Sequence, residues 1–83
     1  MNPTPLGIGP AGIRTARAIE RTRTARGLAQ RQLADRVTAL GRPMTITMLS
    51  RIERRRRRCD VDDLVALAAA LDISPLTLLA ETS

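Results

Sequence analysis

Eighty-three residues bound one small domain, which buries only ~60% of the surface its unfolded chain exposes and leaves no room for a deep enzyme cleft. The absence of Phe, Trp and Tyr excludes aromatic stacking on single-stranded nucleic acid, and the absence of His removes the commonest general base and zinc ligand. Residues 1–58 carry 14 arginines against Glu20, Asp35 and Glu53, a net +11, whereas residues 59–83 carry five acids and no arginine, a net −5. Codon usage accounts for arginine in place of lysine, but the segregation of charge points to one pole that meets a polyanion.

Residues 1–10 hold three prolines and two glycines and read as a tail without regular structure, with a domain over 11–83. From about Ala11 the pattern turns helical, with Ile13, Ala16, Ile19 and Thr22 or Arg23 on one face and Gly27 as the stop. A second helix runs from about Gln30 to Leu40 with Leu33, Val37 and Leu40 inward. Ala29 is a poor N-cap, Gln32 supplies half a capping box, and Leu28 with Leu33 forms a hydrophobic staple. Gly41-Arg42-Pro43 breaks this helix, and Thr45 caps a third, with Met44 and Leu49 as a second staple.

The fourth helix has the clearest start. Asp60 is the N-cap, Asp62 and Asp63 favour the positive end of the dipole, and Val61, Leu64, Leu67, Ala68 and Leu71 form the inward stripe. Ser74-Pro75 opens a short fifth helix through Leu78 and Leu79. Five helices and no strands predict an all-α fold.

Function concentrates at the third helix. Leu49 and Ile52 face inward, so Ile46, Thr47, Ser50, Arg51 and Arg54 face outward, and residues 54–58 are five consecutive arginines. A compact arginine-rich helix held out from a small domain suits a DNA major groove, and the arginine run suits phosphate contact better than a plain solvated loop or a localisation signal. The acids near residue 60 read as helix caps, not metal ligands, and the lone Cys59 as a small partly buried apolar residue in a reducing cytoplasm. No catalytic, metal or cofactor site is expected. Residues 1–12 lack a signal-peptide pattern, and the longest uncharged apolar stretch, residues 64–71, is too short to cross a bilayer, so no membrane role is expected.

The chain resembles the Cro/phage-repressor (Xre-type) helix-turn-helix family over roughly residues 13–80. The matching residues are Arg23, Gly27-Leu28, Gln30, Leu33-Ala34, Thr45, Leu49-Ser50-Arg51-Ile52-Glu53 and the fourth- and fifth-helix pattern behind them. The resemblance implies a compact five-helix, lambda-repressor-like domain that binds double-stranded DNA. It implies base contacts from Ile46, Thr47 and Arg51, with Arg51 on guanine and Ile46 against a thymine methyl. Phosphate contacts are expected from Gln30, Arg31, Arg42, Thr45, Ser50, Arg54, Arg55 and Arg56. Arg23 and Glu53 match a pair that joins the first helix to the third.

Two departures stand out. The turn over residues 38–44 is roughly five residues longer than the tight turn of relatives, so the second helix gains a turn or Arg42 reaches a phosphate. Arg55 stands where relatives carry glycine, so the third helix is expected to continue past it and avoid a left-handed residue.

The leading functional expectation is a cytoplasmic homodimeric transcriptional regulator. Repression is favoured because a bare domain blocks polymerase merely by occupying a promoter. Leu76 and Leu79, on one face of the fifth helix, form the expected dimer interface. The alternative is an antitoxin-like, phage or plasmid interaction protein that uses the same fold to bind a cognate or host protein.

Overall fold

A computed structural model of the chain describes residues 8–80. Its helices are α1 (Pro10–Ala25), α2 (Gln30–Ala39), α3 (Ile46–Glu53), α4 (Val61–Ala70) and α5 (Pro75–Ala80), and no strand occurs among the described residues. The first seven residues of the expected tail, and residues 81–83, lie outside the described residues. Pro10, expected in the tail, is instead the first residue of α1, where its missing N–H costs no hydrogen bond.

The helices pack in a closed cycle: α1 on α3, α3 on α2, α2 on α4, α4 on α5 and α5 on α1. Ile19, Leu33, Val37, Leu49, Ile52, Leu67, Leu71 and Leu78 are fully buried at its centre. Leu28, Met44 and Leu64 join them, so both expected staples have both members in the core. Two expected core residues are outside. Leu40 is 58% exposed because α2 stops at Ala39 and leaves it as the C-cap, turned away from the inward face. Val61 is 73% exposed because it begins α4, and Leu64, a turn later, is the first of its stripe to reach the core.

Each of α1–α4 ends in the same way. After α1, Leu28 N–H donates to Arg23 O (3.1 Å) and Gly27 N–H to Thr24 O (3.0 Å), the Schellman pairing, with Gly27 at φ +69°. After α2, Gly41 at φ +101° occupies the same position. The third and fourth helices repeat the pattern without glycine: Arg55 has φ +62° and Asp72 has φ +61°. The expected continuation of α3 through Arg55 is therefore corrected. The bonds from Arg55 N to Ile52 O (3.0 Å) and Arg56 N to Arg51 O (2.8 Å) close the helix despite a backbone strain of about 1–2 kcal/mol.

The helix starts follow local chemistry. Ala29 has no side-chain oxygen, and the half box survives as Ala29 N–H donating to Gln32 Oε1 at 2.8 Å. Thr45 Oγ1 accepts from Met48 N at 3.1 Å. Asp60 and Asp63 form a full capping box: Oδ1 of Asp60 accepts from Asp63 N (2.8 Å), and Oδ2 of Asp63 from Asp60 N (3.3 Å).

Candidate nucleic-acid interface

Helix α3 lies on α1 and α2 by Leu49, Ile52 and Glu53, which are buried, and this seating decides which side chains it presents outward. Thr47, Arg51 and Arg54 are exposed, Ser50 is half-buried, and Ile46 keeps 39% of its surface in water. Ile46, Thr47, Ser50, Arg51 and Arg54 line one shallow groove together with Gln30 from the start of α2. The structure thus brings all three expected base-reading residues together with three of the expected phosphate contacts.

A buried carboxylate holds this arrangement. Glu53 accepts from Arg23 Nε (2.7 Å) and Nη2 (2.9 Å) and from Gln30 Nε2 (3.0 Å), while Arg23 Nη1 donates to Leu28 O (2.8 Å). The side chains of Glu53 and Arg23 are 3% and 12% exposed. The hydrogen bond to Glu53 raises the Arg23 pKa above its ordinary value against the opposing effect of burial. One carboxylate therefore fastens α3 to α1 and to the first residue of α2, and Arg23 extends the network to the α1–α2 turn. The Arg23–Glu53 pair was legible from the family pattern; the part of Gln30 in it was not.

Beyond α3 the arginine run curls back, with Arg56 N (2.8 Å) and Arg57 N (3.2 Å) both donating to Arg51 O. Arg51, Arg56, Arg57 and Arg58 line a second shallow groove, and Arg54, Arg55 and Arg56 line a third with Glu20 and Gln30. Arg51 is shared by the first two grooves. The left-handed Arg55 makes this possible, since a continuing helix would carry Arg56–Arg58 away along the axis. Arg31 is exposed on α2, outside these grooves, and Thr45 is exposed at the head of α3.

Arg42 lies elsewhere. Its Nε donates to Asp63 Oδ1 (3.1 Å), and its Nη2 to the Asp60 carboxylate (3.2 and 3.3 Å), with Asp62 4.0 Å from Nη1. The Asp63 hydrogen bond raises the Arg42 pKa, and the Asp63 backbone N–H, ahead of Arg42 itself, holds the Asp60 carboxyl below the usual range. No local spacing signals this cluster, because its members are 18 and 21 residues apart.

A second surface is apolar. Leu76 and Leu79 of α5 are 72% and 49% exposed, and Val65 of α4 is 49% exposed, as α4's Val61 is more fully. Val61 and Leu79 line a common cleft with Ala11, Gly12 and Thr15. Burial pushes the nearby Cys59 thiol up to about 12, which makes it a poor nucleophile. Among the described residues no cluster of metal-ligating side chains occurs, and no helix is long and apolar enough to cross a membrane.

The five-helix order and the exposed third helix define a helix-turn-helix DNA-binding class. A family model described as Helix-turn-helix matches residues 19–78, which include α2, α3 and α4 entire and parts of α1 and α5, and the chain belongs to that Cro/Xre-like family. Comparison with curated proteins and with solved structures finds no match.

Proposed function

We propose that this chain is a sequence-specific regulator of transcription, a repressor that binds double-stranded DNA as a homodimer with α3 in the major groove. The observation that carries the reading is the shared groove of Ile46, Thr47, Ser50, Arg51, Arg54 and Gln30, bordered by the arginine run. In this reading Arg51 pairs with guanine, Ile46 lies against a thymine methyl, and Thr47 reads a neighbouring base edge. Gln30, Arg31, Thr45, Ser50, Arg54, Arg55 and Arg56 hold phosphates and set the register. Dimerisation through Leu76 and Leu79, extended by Val61 and Val65, doubles the few base contacts of one domain and places the half-sites about one helical turn, ~34 Å, apart. The protein then works in the cytoplasm, on the nucleoid.

Selection of bound sites from a random duplex pool, followed by titration of the recovered site at several salt concentrations, tests the reading. A palindromic site whose affinity falls steeply with salt is expected, because the arginines displace counterions. Recovery of no enriched sequence, with a flat salt response, would overturn it.

A further inference from the structure

Arg42 sits in the stretch of chain that most distinguishes this domain, the long connection between α2 and α3. That connection is closed at its base by Thr38, whose hydroxyl donates to Met44 O and accepts from Met44 N, both at 3.0 Å. At its far side Arg42 reaches the capping box of α4, with Asp63 1% exposed beneath it. The guanidinium joins the two box carboxylates, Nε donating to Asp63 and Nη2 to Asp60. Its planar fork meets both at once, a geometry that a single ammonium does not reproduce. Only Pro43 and buried Met44 separate Arg42 from Thr45, the N-cap of α3. The proline fixes one backbone torsion and Met44 is seated in the core, so little slack remains between the clamp and the head of α3.

We propose that Arg42 is a positioning residue: by clamping the α2–α3 connection to the α4 capping box it fixes the start of α3, and hence its angle in the groove, without touching DNA. The inference rests on the DNA-binding reading and departs from the expectation of a phosphate contact. A phosphate contact and a clamp differ in what their loss does. Losing one phosphate contact weakens all sequences alike and flattens the salt slope by ~0.9. Losing a clamp leaves the phosphate contacts in number but misplaces Ile46, Thr47 and Arg51 on the bases.

The test compares wild type, Arg42→Met, Arg42→Lys and Asp60→Asn on the selected site and on a random duplex. Each is titrated across a salt series at a temperature where circular dichroism shows it folded. Arg42→Met is expected to lose about tenfold in discrimination, the cost of about one mismatched base pair, with the salt slope unchanged. Arg42→Lys should recover little of that loss. Asp60→Asn keeps the cap oxygen and removes a negative charge, yet should also lose discrimination, whereas electrostatics alone would strengthen its binding. It carries the same test if Arg42→Met does not fold. A flatter slope with equal losses on both duplexes, restored by lysine, makes Arg42 a phosphate ligand and overturns the proposal. Unchanged discrimination in all three variants overturns it as well. A wild type that binds neither duplex overturns the DNA reading itself, a result distinct from either.

Discussion

Glu53→Ala removes the carboxylate at which α1, α2 and α3 meet. In the folded chain that carboxylate accepts three hydrogen bonds of 2.7–3.0 Å, two from Arg23 and one from Gln30, and is almost fully buried. Its loss leaves the Arg23 charge in a site that is only 12% exposed, hydrogen-bonded to the Leu28 carbonyl and with the more distant charge of Glu20 in place of its ion-pair partner. Removing one member of a buried pair costs about 3–5 kcal/mol. A chain of 83 residues has a total stability of about 4–12 kcal/mol at ~0.05–0.15 kcal/mol per residue, so this one change removes a large share of it. At about 4–8 °C per kcal/mol for a domain of this size, the Tm falls by at least ~12 °C. Thermal unfolding followed by far-ultraviolet circular dichroism measures this directly. The double variant Arg23→Met/Glu53→Met separates charge from packing: it strands neither charge, so it should be more stable than either single methionine variant. A Glu53→Ala protein within about 1 kcal/mol of wild type, the range of an exposed surface pair, would refute the reasoning. So would a double variant less stable than both singles.

Arg51→Ala should lose about 1–3 kcal/mol of discrimination at one base position, whereas Arg56→Ala should weaken all sequences about equally; identical behaviour across a panel of operator variants would remove α3 from the groove. Leu79→Asp should reduce the stoichiometry seen by light scattering from two chains to one, and a variant that still dimerises moves the interface away from α5. Arg55→Gly should raise stability by about 1 kcal/mol, as glycine relieves the +62° φ at a small cost in unfolded-state entropy; an unchanged or lower Tm would refute the strain. Because the folded pKa of Asp60 is lowered, its ionisation contributes stability that is complete above its unfolded value near ~3.9 and is lost as pH falls through the folded one. The stability gap between wild type and Asp60→Asn should therefore shrink below about pH 4, and a gap equal at pH 3 and pH 7 would contradict this.

Local rules read well here because most helix ends are governed by neighbours within four residues. Gly27, Thr45, Asp60 and Ser74-Pro75 each mark a boundary where the structure has one, and the apolar stripes of α2, α3 and α4 identify most of the core. The misjudged residues sit at helix ends. Leu40 and Val61 continue a periodic stripe, but Leu40 is the C-cap of α2 and Val61 the first residue of α4, and periodicity does not register where a stripe leaves the core. Arg55 was misjudged because its local cost is real; two closing hydrogen bonds and the return of the following arginines beside Arg51 accompany it, and neither shows in a residue-by-residue propensity. The candidate groove was legible because α3 presents one face, set by the positions of Leu49 and Ile52. Arg42 was not legible in this way, since its partners come from a helix that sequence spacing does not bring near.

The placement of Arg42 also changes the meaning of the charge division. By position in the chain the last 25 residues carry a net −5, yet Asp60 and Asp63, with Asp62 close by, gather around an arginine from the basic part. The acidic pole is thus partly neutralised by ion pairing within the chain, and α4 and α5 also expose the apolar side chains of Val61, Val65, Leu76 and Leu79. Arg23 is likewise consumed within the domain by Glu53. The arginines exposed at α3 and after it are a different set, concentrated where Arg51 joins two grooves. Charge beside the α3 groove therefore does not depend on the two arginines paired with carboxylates of other helices. On the proposed reading, replacing Arg23 or Arg42 should leave the salt slope of DNA binding unchanged, and a slope flattened by either change would put that arginine among the phosphate contacts.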